Sequence, residues 1–141
     1  MPTPRDHLAV SVVAGKINVI GGRLGSYDRN LEANEVYDPS MDSWSTQAPL
    51  PTVRSGIASA TVDHKVFVLG GESTQRAFYE NESYDPLLDT WETMPQLPTA
   101  RHGLGAVAIG NRIYVLAGGP TPGGSASSRN ELFIVLNPAK R

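Results

Sequence analysis

Arginine recurs at nearly regular intervals and supplies the most distinctive chemical groups of the sequence. The three residues are Arg5, Arg54 and Arg101, which lie 49 and 47 positions apart. A guanidinium offers a planar fork of donors that matches carboxylate and phosphate groups, so anion binding is one interpretation. In the other interpretation, which the repetition favours, each arginine pairs with an acidic residue of its own repeat. The candidate partners are Glu35, Glu82 and Glu131.

Histidine closely follows two of these arginines. His7 and His102 come two and one residues after them, whereas the matching region beside the middle arginine holds Ser55 and Gly56. An imidazole can carry protons near neutral pH, so both histidines and Ser55 are candidate ligand-binding residues. No spacing typical of a metal site surrounds them, and the chain has no cysteine. We therefore predict neither a metal nor a cofactor.

Two variable polar stretches carry residue types that are common in protein interfaces. Tyr27 and Arg29 lie in the first stretch, and Phe78 and Tyr79 lie in the second. Aromatic and arginine side chains supply much of the binding energy at interfaces, and loops on a rigid scaffold often carry function. These four residues are therefore candidates for partner binding. The alternative is simple variation in solvent-facing loops.

Further residue types recur in a fixed order and define an internal repeat. Equivalent positions are separated by 47 to 49 residues. The recurring residues are Gly21, Gly22, Tyr37 and Trp44 in the first copy, Gly70, Gly71, Tyr84 and Trp91 in the second, and Gly118, Gly119 and Phe133 in the third. This agreement predicts three structural units of one kind.

Each copy is predicted to form four short strands, and no helical periodicity is present. The first strands are expected at 8–13, 57–62 and 104–109, and the second strands at 17–20, 66–69 and 113–116. The turns between them hold Asn, Asp or Gly, which tolerate the positive φ of tight hairpins. The third strand holds the tyrosine or Phe133, and the fourth holds the tryptophan. The fold class is therefore all-β, with four-stranded antiparallel sheets.

This combination of glycine pair, tyrosine and tryptophan resembles the kelch motif. The resemblance covers nearly the whole chain and implies one blade of a β-propeller per copy, at about residues 2–50, 51–97 and 98–138. It also implies that the glycines and aromatic residues pack blade against blade. The repeat arginines would then lie at one face, near the central channel where ligands bind. In the third copy the tryptophan position falls on Lys140, so we expect that blade to lack its outer strand.

Three blades are too few to close a propeller, which typically has four to eight. An open half-ring would expose apolar blade faces that are normally buried. Two copies of this chain would supply six blades about a two-fold axis, so we predict a homodimer that completes a six-bladed ring. The alternative is that the chain is a fragment of a larger kelch protein, whose other blades are missing from this sequence.

Composition excludes several classes of partner. The net charge is −2 and the basic residues are scattered, so no footprint for nucleic acid is present. No apolar run approaches the length of about 20 residues that a membrane-spanning helix needs. The first five residues lack the apolar core of a signal peptide, which favours a cytoplasmic location.

These patterns favour a non-catalytic binding module over an enzyme. Its ligand would be a protein or a small anion at the arginine-lined channel. Kelch enzymes resembling galactose oxidase need a cysteine, which this chain lacks. A second enzyme type, resembling sialic-acid mutarotase, is kept as an alternative. In that reading Arg5 or Arg101 would bind a sugar carboxylate, and Asp6 or His7 would transfer a proton. A purely architectural role is the third hypothesis.

Overall fold

The computed structural model describes residues 1–136 as three antiparallel sheets with four, four and three strands. Blade one contains β1 (Ala9–Val13), β2 (Lys16–Ile20), β3 (Asn34–Asp38) and β4 (Ser43–Thr46). Blade two contains β5 (Ala58–Val62), β6 (Lys65–Leu69), β7 (Asn81–Asp85) and β8 (Thr90–Thr93). Blade three contains β9 (Gly105–Ile109), β10 (Arg112–Leu116) and β11 (Asn130–Ile134). The prediction of an all-β fold built from blade-like sheets is confirmed.

Consecutive strands pair in sequence order within each sheet. The β1–β2 and β5–β6 hairpins turn through residues with positive φ, including Ala14 at 50° and Asp63 at 49°. The hairpin turns lie at one end of the blades, which we call the hairpin face. The longer connections after β2, β6 and β10 lie at the other end, which we call the loop face. Lys140 lies outside the described residues, and within residues 1–136 blade three has no fourth strand. In that same part of the chain, no helix is long and apolar enough to cross a membrane.

Gly118 and Gly119 lie one position after the places that the first two glycine pairs occupy in their blades. Isolated bridges join Asp6 to Arg23, Ser55 to Glu72 and His102 to Gly119. Gly119 is therefore the counterpart of Arg23 and Glu72, and the true counterpart of the first pair is Ala117-Gly118. Ala117 has a φ of 55°, close to the 61° of Gly21 and the 64° of Gly70. The pattern of adjacent glycines hid this shift because Gly119 directly follows Gly118.

Glycine is required at this position wherever another blade follows. A Cβ on Gly70 would lie 2.4 Å from the carbonyl oxygen of Arg101, and a Cβ on Gly21 would lie 3.0 Å from that of Arg54. The same two carbonyls accept hydrogen bonds from the glycine that follows, Gly71 at 2.7 Å and Gly22 at 3.3 Å. Backbone thus approaches backbone at each junction, which leaves no room for a side chain.

Apolar side chains fill both junctions between blades. The first cluster joins Ala9, Val13 and Ile20 of blade one to Val66, Val68 and Tyr84 of blade two. The second joins Ala60, Phe67 and Leu69 of blade two to Ile113 and Val115 of blade three. Each strand contributes alternate residues to the junction, as expected for sheets with both faces covered. These two junctions form the core.

The tyrosine and tryptophan of each full blade stack across neighbouring strands, with ring centroids 5.1 Å apart in both blades. In blade two this pair also contacts blade one, because Trp91 Nε1 donates to the carbonyl oxygen of Ala48 at 2.9 Å. Tyr84 is fully buried and donates to Asp89 at 2.8 Å. Burial, together with this hydrogen bond, raises the pKa of Tyr84. The aromatic pair therefore belongs to the framework of the blade.

The two end faces of the blade stack are exposed and apolar. Val10 and Val12 on blade one are 54% and 61% exposed, and Val107 and Ile109 on blade three are 48% and 66% exposed. At the internal junctions the inner strands carry small residues on the side facing the preceding blade. These are Ser59 and Thr61 in β5 and Ala106 and Ala108 in β9. The end faces are thus bulkier than the faces that meet inside the stack.

Candidate functional site

Each repeat arginine lies inside its own blade and pairs with the glutamate of that blade. The nitrogen–oxygen distances are 2.6 Å for Arg5–Glu35, 2.5 Å for Arg54–Glu82 and 2.8 Å for Arg101–Glu131. All three arginine side chains have no exposed surface. The pairing interpretation therefore describes the structure. A ligand at the surface could not reach these guanidiniums, so they do not line a binding site in this arrangement.

Arg54 shows why the arrangement is structural. Its Nε and Nη2 donate to the carbonyl oxygens of Gly70 and Val68 at 2.7 and 3.0 Å, while Nη1 serves both Thr52 and Glu82. The guanidinium thus joins the segment before β5 to β6 and β7. Burial lowers the pKa of Arg54, and the neighbouring Glu82 opposes that change.

The Arg5–Glu35 pair repeats this pattern in blade one. Burial works against ionisation of the Glu35 carboxyl, but hydrogen bonds from Thr3 and Arg5 outweigh it, so the pKa of Glu35 lies below its ordinary value. Glu35 is therefore held in its charged form, as a buried partner of a fixed cation should be.

A second polar cluster lies at the loop face and joins all three blades. We call it the loop-face cluster, and its members are Asp6, His7, Arg23, Glu72 and His102. Arg23 of blade one is its centre, because Nη1 donates to Glu72 Oε1 of blade two at 3.0 Å and Nε donates to Asp6 Oδ1 at 3.1 Å. Glu72 Oε2 then lies 3.4 Å from His102 Nδ1 and accepts from the Gly123 backbone at 2.9 Å, both in blade three. Arg23 and Glu72 are 7% and 2% exposed.

The hydrogen bonds of His7 determine which of its ring nitrogens carries the proton. Arginine has no acceptor, so the contact of 2.9 Å between Arg23 Nη2 and His7 Nε2 requires Nε2 to accept. His7 Nδ1 then carries the proton and donates to Asp6 Oδ1 at 2.5 Å. A backbone hydrogen bond from Gly25, with help from His7 and Arg23, lowers the pKa of Asp6. The nitrogen that would act as a base is thus already occupied by Arg23.

His7 shares its backbone geometry with its counterparts in the other blades, but both counterparts are glycine. His7, Gly56 and Gly103 occupy the same position, with φ values of 54°, 63° and 58°. The Gly56 N–H donates to the carbonyl oxygen of His7 at 2.9 Å, and the Gly103 N–H donates to that of Gly56 at 2.7 Å. Positive φ is uncommon for a residue with a side chain, and such residues often lie at functional sites.

The other sequence-predicted residues have different environments. Ser55 is fully buried, and its Oγ has no hydrogen-bond partner among the described residues. Phe78 is only 6% exposed, and the guanidinium carbon of Arg76 lies 4.2 Å from the centroid of its ring. Tyr27 is half-buried beneath Arg23, at 4.6 Å from the guanidinium carbon to the ring centroid.

Arg29 and Tyr79 are the predicted loop residues that remain exposed. Arg23 and Glu72 are members of the site that were not predicted from the sequence. Their opposite charges at equivalent positions 49 residues apart were a usable signal for a contact between blades. Among residues 1–136, no group of three or more histidines or acidic residues is arranged to hold a metal ion.

The sheets, their aromatic pairs and the close backbone junctions define successive blades of an all-β propeller. The family model described as "Kelch motif" matches residues 4–51 and 54–98, which is more than half of the chain. The chain therefore belongs to the kelch-repeat family, as its sequence pattern indicated.

Curated relatives match over shorter segments. A stretch of 51 residues is 43% identical to an F-box/kelch-repeat protein of Arabidopsis thaliana and covers 36% of this chain. Stretches of 72 and 74 residues are 39% and 34% identical to alpha-scruin of Limulus polyphemus and to kelch-like protein 25 of Homo sapiens, and they cover 51% and 52% of this chain. The matched segments make up 13%, 8% and 12% of these three relatives. This chain thus corresponds to a small part of each.

Proposed function

We propose that this chain is a protein-binding part of a kelch propeller and that its loop face forms the recognition surface. The observation that carries this proposal is the pairing of Arg23 with Glu72, which ties the loops of two blades together and extends through His102 to the third. The loops therefore form one fixed platform. Binding residues in many proteins lie on loops that a rigid scaffold positions.

The exposed side chains of this platform are of the types that dominate interfaces. Arg29 and Tyr79 project from the loops of blades one and two, and arginine and tyrosine are enriched at energetic hot spots. The three buried repeat arginines give no support to an anion site at the channel. We therefore favour a protein surface as the partner over a small anionic ligand.

Selection of binding peptides from a displayed library on the immobilised chain tests this assignment. We expect the selected binders to lose at least about tenfold in affinity on Arg29→Ala or Tyr79→Ala, as for hot-spot residues. Leu88→Ala is the matched control, because Leu88 is 67% exposed but lies on the hairpin face. Binders that respond only to the Leu88 substitution would contradict the proposal.

A second proposal concerns the exposed ends. We propose that kelch blades cover both end faces, in the simplest case those of a second copy that completes a six-bladed ring. The four exposed valine and isoleucine side chains of β1 and β9 support this, since such surfaces are normally buried. The junction has to differ from the internal ones, because the Cβ of Ala117 occupies the space that an incoming carbonyl would need.

Light scattering distinguishes the occupants of these faces. A mass near twice 15.1 kDa is expected for the homodimer, and Val12→Asp should reduce it to that of the monomer. A monomer that persists at high concentration would exclude the homodimer and leave blades of a longer polypeptide as the covering surface.

A proton-transfer enzyme resembling sialic-acid mutarotase receives little support from the geometry. His7 Nε2 accepts from Arg23, and Asp6 accepts from both. Arg5 and Arg101, the intended carboxylate ligands, have no exposed surface. The binding module is therefore the function that these contacts favour.

A further inference from the structure

A cavity of about 530 Å³ opens between blades one and two, near the hairpin face and away from the loop-face cluster. Its walls include Val13, Val36, Tyr84 and Pro86, and Asn18 lines its buried side. This volume lies within the range of small-ligand pockets. The cavity thus has an apolar interior with one buried polar residue.

Asn18 is unusual for its position. The registers β1–β2 and β5–β6 place it at the same position as Phe67 in blade two, which packs against Phe133 at 5.9 Å between centroids. Asn18 is 1% exposed, and neither Nδ2 nor Oδ1 has a hydrogen-bond partner within the described part of the chain. Most buried polar atoms in proteins are paired, and an unpaired one is costly. The carboxamide therefore presents an unpaired donor group and an unpaired acceptor group at the cavity wall, and because both atoms have almost no accessible surface, a ligand reaches them only when that wall shifts.

We infer that this cavity binds a short extended peptide segment, with one peptide bond at Asn18 and an apolar side chain between Val36 and Tyr84. A carboxamide presents one donor group and one acceptor group side by side. It can donate from Nδ2 to a peptide carbonyl and accept at Oδ1 from a peptide N–H. One peptide bond thus satisfies both unpaired groups.

The charges around the opening favour a neutral ligand segment. Lys16 and Lys65 are balanced by Asp63 and Asp85, all four of which line the cavity. Lys16 is already paired with Asp38 at 3.1 Å, and Lys65 lies 3.8 Å from Asp85. A charged group moved next to the buried Asn18 would lose its hydration without gaining a partner. Uncharged backbone with an aliphatic side chain meets no such penalty.

N-acetyl-leucine N′-methylamide is a suitable probe, because it contains an aliphatic side chain and neutral amides only. We expect saturable changes in the backbone amide resonances around Asn18, Val36 and Tyr84, with a Kd on the order of 1 mM for a ligand of this size. Asn18→Leu should weaken binding by at least about tenfold, since two hydrogen bonds are lost. The variant should otherwise fold normally, because leucine suits the apolar position.

A second pair of variants controls for an effect of Asn18→Leu on folding. Ser45 is exposed and lies opposite Val36 at the cavity wall, so Ser45→Trp should block entry without altering the core. Glu92→Trp is its matched control, because Glu92 holds the same position in blade two and lines a different groove. Loss of binding in Ser45→Trp but not in Glu92→Trp supports the inference. Absence of saturable changes in the wild-type chain, equal affinity in Asn18→Leu, or equal loss in both tryptophan variants would overturn it.

Discussion

Arg23 donates to Glu72 across the first blade junction at 3.0 Å, although both residues occupy the same position in their own blades. In a repeat protein, equivalent positions normally carry residues of the same type. Here blade one carries arginine and blade two carries glutamate at the same position, so an ion pair joins two equivalent loops. Since Glu72 also contacts His102 and Gly123, the pair connects three blades.

Breaking this ion pair is expected to destabilise the protein. Arg23→Met would leave the Glu72 carboxylate buried without its cation, at a cost of about 3–5 kcal/mol. Urea denaturation of Arg23→Met, Glu72→Gln and the double variant measures the coupling. We expect the double variant to lose about 1–3 kcal/mol less than the sum of the two single variants. Strict additivity would show that the contact contributes nothing.

At the glycine position of the blade junctions, replacing glycine by alanine and alanine by glycine should change the stability of the chain in opposite directions. Gly70→Ala should destabilise the chain by at least about 2 kcal/mol, because its Cβ would meet the Arg101 carbonyl and adopt a strained φ. Ala117→Gly should stabilise it by about 1 kcal/mol, since the left-handed backbone is already present and glycine adopts it freely. Thermal unfolding of the two variants provides the comparison. A loss of stability in Ala117→Gly would contradict the assignment of this position.

Acid is expected to weaken blade one through Asp38. Hydrogen bonds from Ser40, followed by the interaction with Lys16, lower the pKa of Asp38 from 3.8 to about 2. Because the folded value is the lower one, its stabilising contribution is complete above pH 3.8 and is lost as the pH falls towards about 2. The urea midpoint measured across that interval should fall more steeply for the wild type than for Asp38→Asn. Parallel pH profiles would contradict this prediction.

Removing Arg54 should test its structural role separately from any binding role. Arg54→Leu leaves Glu82 buried without a cation and frees three carbonyl groups, so we expect a loss of about 3–5 kcal/mol. Arg29→Ala, on the exposed loop, should change stability by less than about 0.5 kcal/mol. Chemical denaturation of the two variants checks both values. Equal stability of Arg54→Leu and the wild type would contradict the role assigned to the buried arginine.

The sheets were predictable because their signals are local and repeated. Hairpin turns and β-branched strands recur in three blades and the Tyr–Trp pairs recur in two. Each of these features depends on neighbours within one blade. The Arg54–Glu82 pairing was visible for the same reason, since both residues recur together. Recurrence in every blade identified the arginines as candidates for a role within the blade.

Contacts between blades were harder to derive from the sequence. The Arg23–Glu72 pair depends on how far one blade is rotated against the next, and no local pattern encodes that rotation. Phe78 was expected at the surface because its loop is polar, but Arg76 folds over its ring. The shift of the third glycine pair was hidden because residue type, unlike backbone geometry, does not distinguish Gly118 from Gly119.

The close passage of a carbonyl past Gly70 has a consequence for assembly. A stack of blades with complementary ends can add copies head to tail without limit when the rotation does not close a ring. Continued addition would require each new junction to reproduce the backbone contact of the previous one. The methyl group of Ala117 stands where that contact would form, so it disfavours an identical junction at the end of blade three in a closed ring and in a filament alike. A single carbon atom thereby makes any junction between copies different from the junctions within one copy.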